Sequence, residues 1–287
     1  IGTTNKKKIK IKNKNIKYIK TNLEIKKNCL KVTKGMDIVV MCAAKSSGAK
    51  VIVNNPMAHL NPNIIMNTHM LEAAYINKVK KFIFISSNTV YPNKDTPMKE
   101  EDSNFSFFKK YYIVGWMKKF SELMCNMYSK KISSPMKTLI IRPGNLYGPG
   151  DKFNWEESKV VAATIRKVYE GHCPLEVWGD GKDIKDFLYI DDFVDCLIKL
   201  LIKDTGQFNI FNIASGKETT VNMVLNKLIK NEKIKNLKII YDKNKPSLIP
   251  VRKINISKIK KYINWRPKTS LETGLRKTMD WYKKNPE

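Results

Sequence analysis

The sequence predicts an α/β protein, a doubly wound parallel sheet followed by a smaller α/β lobe. Three observations carry this prediction. The runs Asp37-Ile38-Val39-Val40-Met41-Cys42-Ala43-Ala44, Phe82-Ile83-Phe84-Ile85 and Thr138-Leu139-Ile140-Ile141 are apolar without alternation, as strands buried on both faces must be. Segments of helix length and periodicity separate them, which is the order of a parallel sheet with crossover helices. A turn-rich stretch, Arg142 to Asp151, then interrupts the pattern before a second series of strands and helices begins.

Taken in chain order, Ile1-Gly2-Thr3-Thr4 reads as the tail of a strand, and Ile16 to Lys20 alternates weakly. The run 37–44 is a buried strand ending in small residues. Between Asn63 and Val79, the residues Ile64, Met70, Leu71, Ala74 and Ile76 suit a crossover helix leading into the strand 82–85. A helix follows from about Gly115 to Ser129, then the strand 138–141. The breakpoint at 142–151 divides the chain into a dinucleotide-binding type of domain, 1–146, and a second lobe, 147–287, partly interleaved with the first. In that lobe we expect a helix over 158–170, strands at Leu175–Trp178 and Phe187–Ile190, a helix from Asp191, and strands at Phe211–Ala214 and Lys238–Tyr241. The last helix places Leu271, Leu275, Met279 and Tyr282 on one face, with Ser270 as its N-cap.

A chain of 287 residues is long enough for one large α/β domain and a smaller lobe. The formal net charge is +28, from 54 Lys+Arg against 26 Asp+Glu. The lysines are dispersed among Asn and Ile, with no aromatic-basic platform or zinc spacing, so the charge reads as solvated surface and not as a specific nucleic-acid site. Cys29, Cys42, Cys125, Cys173 and Cys196 are scattered, as reduced thiols of a cytoplasmic protein would be, and no metal centre is expected. The apolar runs fall far short of the ~20 residues that span a bilayer.

The chemistry concentrates where the strand 82–85 delivers Ser86 and Ser87, and where the next helix carries Lys118. Open parallel sheets bind ligands at the carboxyl ends of their strands. Ser86-Ser87-Asn88-Thr89-Val90-Tyr91-Pro92, Cys42-Ala43-Ala44-Lys45-Ser46-Ser47-Gly48, Asn145-Leu146-Tyr147-Gly148-Pro149-Gly150-Asp151-Lys152-Phe153, Trp178-Gly179-Asp180-Gly181 and Lys185-Asp186-Phe187-Leu188-Tyr189-Ile190-Asp191-Asp192 occur in an order that resembles the extended short-chain dehydrogenase/reductases. Within them, the pattern looks most like the GDP-L-fucose synthases. The resemblance covers nearly the whole chain and implies a Rossmann-type fold.

It also implies roles. Ser87 would donate to the C4 oxygen of a nucleotide-diphosphate 4-ketosugar, where charge develops during hydride transfer, and Lys118 would hold the nicotinamide ribose. Ala43, Ala44 and Lys45 match the loop that packs on the dinucleotide, and Ser86, Pro143, Asn145 and Leu146 lie beside it, with Asn145 also facing the substrate. Trp178, Lys185 and Arg252 would hold the nucleotide diphosphate sugar. Thr89 and Lys159 stand where the synthases carry the cysteine and histidine that exchange protons during epimerisation. A homodimer through a four-helix interface that includes the Lys118 helix is a further implication.

The chain departs from that pattern in four places. The position four before Lys118, where the family has its proton-donating tyrosine, is Val114. Tyr111 lies about 20° off the face of Lys118 but roughly 10 Å along the axis, and Tyr112 about 120° off. Either phenol reaches the site only by folding back from the turn before the helix. Thr89 and Lys159 replace the acid/base pair, and a threonine hydroxyl is a poor base. No Gly-rich dinucleotide turn is present, so a strand, its turn and a helix, on the order of 25 residues, are expected upstream.

These features support an NAD(P)-dependent sugar-nucleotide epimerase/reductase. The alternative is a catalytically impaired relative that keeps the cleft as a nucleotide-sugar-binding or subunit-pairing module. With Thr4 in place of an acid at its strand end and Lys6-Lys7-Lys8 following, NADP is the expected cofactor, NAD remaining possible.

Overall fold

In the computed structural model, residues 1–5, 13–46, 54–55, 57–245 and 249–286 are described; Lys6, Lys7, Lys8, Ser47 and Gly48 lie outside them. Two short strands, β1 (Gly2–Thr4) and β2 (Tyr18–Lys20), pair in parallel. Next come β3 (Ile38–Met41), β4 (Lys81–Ile85) and β5 (Lys137–Pro143). The second half of the chain contributes β6 (Asn145–Tyr147), β7 (Leu175–Trp178), β8 (Ile184–Lys185), β9 (Phe187–Tyr189), β10 (Phe208–Ile213), β11 (Thr219–Thr220) and β12 (Ile239–Asp242). The helices are α1 (Lys26–Thr33), α2 (Met57–Ile76), α3 (Tyr112–Lys130), α4 (Val160–Tyr169), α5 (Ile190–Ile202), α6 (Val221–Asn231), α7 (Ser257–Ile263) and α8 (Leu271–Lys284).

The central sheet is parallel throughout and ordered β10-β5-β4-β3. Its strands lack polar alternation because both faces are covered. Phe82, Phe84 and Ile140 pack with Cys29 and Val32 of α1, Met70, Leu71 and Ala74 of α2, and Cys125 of α3. Ile83, Leu139 and Ile141 point the other way, onto Phe193, Cys196 and Leu200 of α5 and Ile259 of α7. Side chains of this size contribute about 1.5–3 kcal/mol each when fully buried, so the run Phe82-Ile83-Phe84-Ile85 anchors both layers at once. β10 joins this sheet although it lies far along the second half of the sequence.

The second lobe has its own core, in which Tyr147 and Phe153 meet α4, β7, β9, α6 and α8 through Ile165, Leu175, Phe187, Leu225, Leu275 and Met279. Small strand pairs frame it: β6 with β9 and β7 with β12 are parallel, β8 with β11 antiparallel. Ser270 caps α8, its Oγ accepting from the Thr273 amide at 3.1 Å. Among the described residues no helix is long and apolar enough to cross a membrane.

Three element boundaries differ from expectation. The third strand ends at Met41, and residues 42–46 form a loop at its carboxyl end. The crossover helix starts six residues before Asn63 and contains Pro62, because its buried face already begins at His59. The Lys118 helix begins at Tyr112, directly after a 3-10 turn at Lys109–Tyr111. The helices α1, α6 and α7 were missed, α1 because only Cys29, Val32 and Thr33 of its lysine-rich segment are buried.

Candidate active site

Ser87 leaves the end of β4 and caps a 3-10 turn, Asn88–Val90, its Oγ accepting from the Thr89 amide at 3.2 Å. The hydroxyl proton stays available to another acceptor. Lys118 projects from α3 toward the same sheet edge: its Nζ donates to the Ile85 carbonyl at 2.9 Å and stands 4.9 Å from the centre of the Phe84 ring. Burial lowers its pKa to about 8, an effect that Glu122 and Cys42 oppose and Lys159 reinforces. An ammonium has three donors, so the bond to Ile85 leaves Lys118 capacity for a ligand. Lys159, exposed at the N-cap of α4, brings the second lobe within electrostatic reach of the first.

Thr89 follows Ser87 in the turn and is 9% exposed, yet its Oγ1 has no hydrogen-bond partner among the described residues. A buried hydroxyl of this kind is costly unless something pairs with it. Gly115 makes the approach of α3 to this turn possible: a Cβ there would lie 2.7 Å from Phe107 Cγ and 2.9 Å from the Thr89 carbonyl. Val114 presents no proton donor. The two neighbouring phenols diverge. Tyr112 is exposed, accepts from Trp116 Nε1 at 3.0 Å and packs edge-on to Phe107, so its expected place beside Ser87 is corrected to an outward aromatic face. Tyr111, at the N-cap of α3, is enclosed, and burial pushes its phenol up to about 12. At neutral pH it is a proton donor only.

Beyond β3, Ala43, Ala44 and Lys45 are exposed along the loop at the sheet edge. Lys45 is gripped through its backbone. Its amide donates to Asn63 Oδ1 at 2.9 Å, its carbonyl accepts from Asn63 Nδ2 at 2.9 Å, and the His59 ring lies at 3.2 Å. Pro143 accepts from Asn88 Nδ2 at 3.1 Å, and Asn145 donates to the Asp186 carbonyl at 3.3 Å, with Leu146 half-buried next to it. A cavity of about 370 Å³ lined by Asn5, Thr21, Asn22, Asn28 and Lys31 opens next to Thr4. Exposed small residues and a lysine follow β3, and the cavity, lined also by Ile19 and Val32, lies at the ends of β1 and β2; strand ends of this kind are where parallel sheets take dinucleotides. Ser86 is the exception. It is buried and donates to Glu122 Oε1 at 2.6 Å, so its expected contact with the cofactor is corrected to a structural bond.

In the second lobe Trp178 is 42% exposed, donates to Glu176 Oε2 at 3.1 Å and carries Lys245 over its ring at 5.8 Å. It is no core aromatic. Lys185 is bonded to Asp183 and to the Ile249 carbonyl, and burial lowers its pKa. Arg252 is 2% exposed and donates to the carbonyls of Pro92 (2.8 Å) and Tyr91 (3.3 Å). As placed it buttresses the loop that follows Ser87, while its buried Nε has no partner among the described residues.

Two residues under the site went unrecognised in the sequence. Glu122, one turn after Lys118, accepts from Arg142 through both carboxylate oxygens, at 2.9 and 2.7 Å. An arginine ending the apolar run Leu139-Ile140-Ile141 was the signal, since a cation there needs a buried partner.

Residues 2–214 match the NAD dependent epimerase/dehydratase family. GDP-L-fucose synthase 1 of Arabidopsis thaliana is 31% identical over 255 residues, covering 86% of this chain and 77% of the relative. GDP-mannose 3,5-epimerase of the same plant is 30% identical over 272 residues, 93% of this chain and 70% of the relative. The UDP-glucose 4-epimerase of Thermotoga maritima, solved with UDP-glucose, superimposes with a TM-score of 0.87 at 25% identity, covering 99% of this chain and 91% of that one. The UDP-glucose 4-epimerase of Thermus thermophilus, solved with NAD, shares the fold with a TM-score of 0.81 at 21% identity, over 95% and 86% of the two chains. With the family match spanning most of its length, and with these relatives, this chain belongs to the NAD dependent epimerase/dehydratase family.

Proposed function

We propose that the chain is an NAD(P)-dependent epimerase/reductase of a nucleotide-diphosphate 4-ketosugar, with a GDP-linked sugar favoured by its fucose synthase relatives. What supports this reading is that Lys118 bonds the Ile85 carbonyl two residues before Ser87 and feels the charge of Lys159, while the Thr89 hydroxyl has no partner among the described residues. A bound nicotinamide would supply hydride exchange. Ser87 donates to the C4 oxygen of the sugar, Tyr111 serves as the proton donor from the turn before α3, and Lys118 holds a ribose with its remaining donors. Lys159 faces the sugar from the second lobe, and Trp178 and Lys185 bind the nucleotide diphosphate. Thr4 and the lysines after it favour NADP.

The test is turnover of a GDP-4-keto-6-deoxyhexose with NADPH and with NADH. Conversion with NADPH preferred supports the reading; no conversion across a panel of nucleotide 4-ketosugars sinks it. Val114 favours a second reading, a binding module with an impaired site. Turnover rising by about 10²-fold or more in Val114→Tyr, the usual scale for a restored general acid, would support it. Loss of activity in Tyr111→Phe would instead assign the proton to Tyr111.

A second copy of this chain would cover α3. Tyr112, Trp116, Phe120, Leu123 and Met127 are exposed on one side of that helix, beside Ile65 and Ile76 of α2, and an apolar stripe of this extent calls for a partner. A monomeric mass by light scattering would overturn the pairing.

A further inference from the structure

Lys152 follows the turn Gly148-Pro149-Gly150-Asp151 and has no role in the site as described above. Its Nζ donates to the Ser46 carbonyl at 3.2 Å and to Ser46 Oγ at 3.3 Å, and it pairs with Glu157. Glu157 is itself fixed by Asn154, which donates to its Oε2 at 3.0 Å and accepts from its amide at 2.9 Å. Ser46 ends the loop after β3, next to Lys45, whose backbone Asn63 grips from both sides. That loop is therefore held to α2 on one side and, through Lys152, to the segment 151–159 on the other. The segment ends at Lys159, whose charge is felt at Lys118.

We propose that Lys152 is a positioning residue. It clasps the loop on the dinucleotide side of the cleft to the second-lobe segment that carries Lys159, so that ligand binding on the two sides is coupled. The proposal rests on the functional reading given above. The exposure of the pair argues against a purely structural role. Lys152 and Glu157 are 36% and 37% exposed, and ion pairs so placed contribute little to stability. The bonds from Lys152 to Ser46, by contrast, join two segments 106 residues apart in sequence, which is where a weak link alters the coupling between sites more than the fold.

Calorimetric titration of NADPH with and without GDP, and of GDP with and without NADPH, measures the coupling. In the unaltered chain each ligand should tighten the other on the order of fivefold, by the same factor in both orders as linkage requires. Lys152→Met should bring that factor to about one, with each ligand alone bound within about twofold of the unaltered chain, and Lys152→Arg should restore most of it. Ser46→Ala, which removes one acceptor and leaves the carbonyl, should give an intermediate factor and serves if Lys152→Met does not fold. Equal coupling in the unaltered chain, Lys152→Met and Ser46→Ala overturns the clasp, as does binding of both ligands without coupling in the unaltered chain. Failure of the unaltered chain to bind either ligand overturns the functional reading and the clasp with it.

Discussion

Two sets of polar residues lie near the carboxyl ends of the central strands and on α3, and they behave in opposite ways. Beneath the sheet edge, Arg142 donates to Glu122, to the Tyr91 hydroxyl (3.0 Å) and to the Glu100 carbonyl (2.7 Å). Tyr91 donates onward to Asn212 Oδ1 at 2.5 Å, and Asn212 donates to the carbonyls of Met98 and Asn255, both at 3.0 Å. These groups use their bonding capacity on one another, as buried polar networks must. At the edge itself, Ser87, Thr89 and Lys118 retain donors or acceptors that no described residue uses. Ser86 and Ser87 make the contrast sharpest: adjacent hydroxyls, one committed to Glu122 and the other open to a ligand. Residue type and sequence position do not separate the two sets; leftover hydrogen-bonding capacity does.

The comparison can be broken most directly at Arg142. Arg142→Met strands the Glu122 carboxylate in the interior, and loss of one partner of a buried pair costs about 3–5 kcal/mol. Denaturant unfolding should show that loss, and Arg142→Met combined with Glu122→Leu should recover most of it, because an apolar replacement of both partners is often near neutral. If the single variant is as stable as the unaltered chain, the network is not the structural set described here.

Lys118→Met sharpens the other side. Turnover should fall by about 10²-fold or more, within the usual range for removing a positioned catalytic group, while stability at neutral pH should not fall. The sign follows from the pKa. The value in the folded chain, about 8, lies below the ordinary 10.5, so the folded state is penalised for carrying the charge below pH 8 and is relieved as pH rises from about 8 toward 10.5. A smaller effect tests the same group without mutation. Ligand holding by the ammonium should weaken as pH rises through about 8, giving kcat/KM an alkaline limb that Lys118→Met lacks; a limb unchanged in the variant assigns it to another residue.

Much of the architecture was legible in the sequence, for reasons that can be named. Unalternating runs such as Phe82-Ile83-Phe84-Ile85 can only be two-sided strands, and Ser87 and Lys118 follow from the strand end and the next helix. The Ser270 cap was readable because its side chain acts within its own turn. What was not legible depended on partners distant in sequence. Nothing in the sequence near Arg252 announced its burial against Tyr91 and Pro92, a contact 160 residues away. Spacing on a helical wheel gave the angle between Tyr112 and Lys118 but not the Trp116 and Phe107 rings that draw Tyr112 outward. Lys152 stood in the motif Asn145 to Phe153 without a role of its own, because only the fold places Ser46 beside it.

The position of β10 has a consequence for how the chain is made. Phe208 pairs with Thr138, and Ile213 with Pro143, so the central sheet lacks a member until the ribosome has passed the end of β10. Until then β5 presents an unpaired edge, during the stage when a growing chain is most open to wrong partners. Separating the halves at the breakpoint after Tyr147 would therefore leave one fragment with an incomplete sheet and the other with a strand that has nothing to pair with.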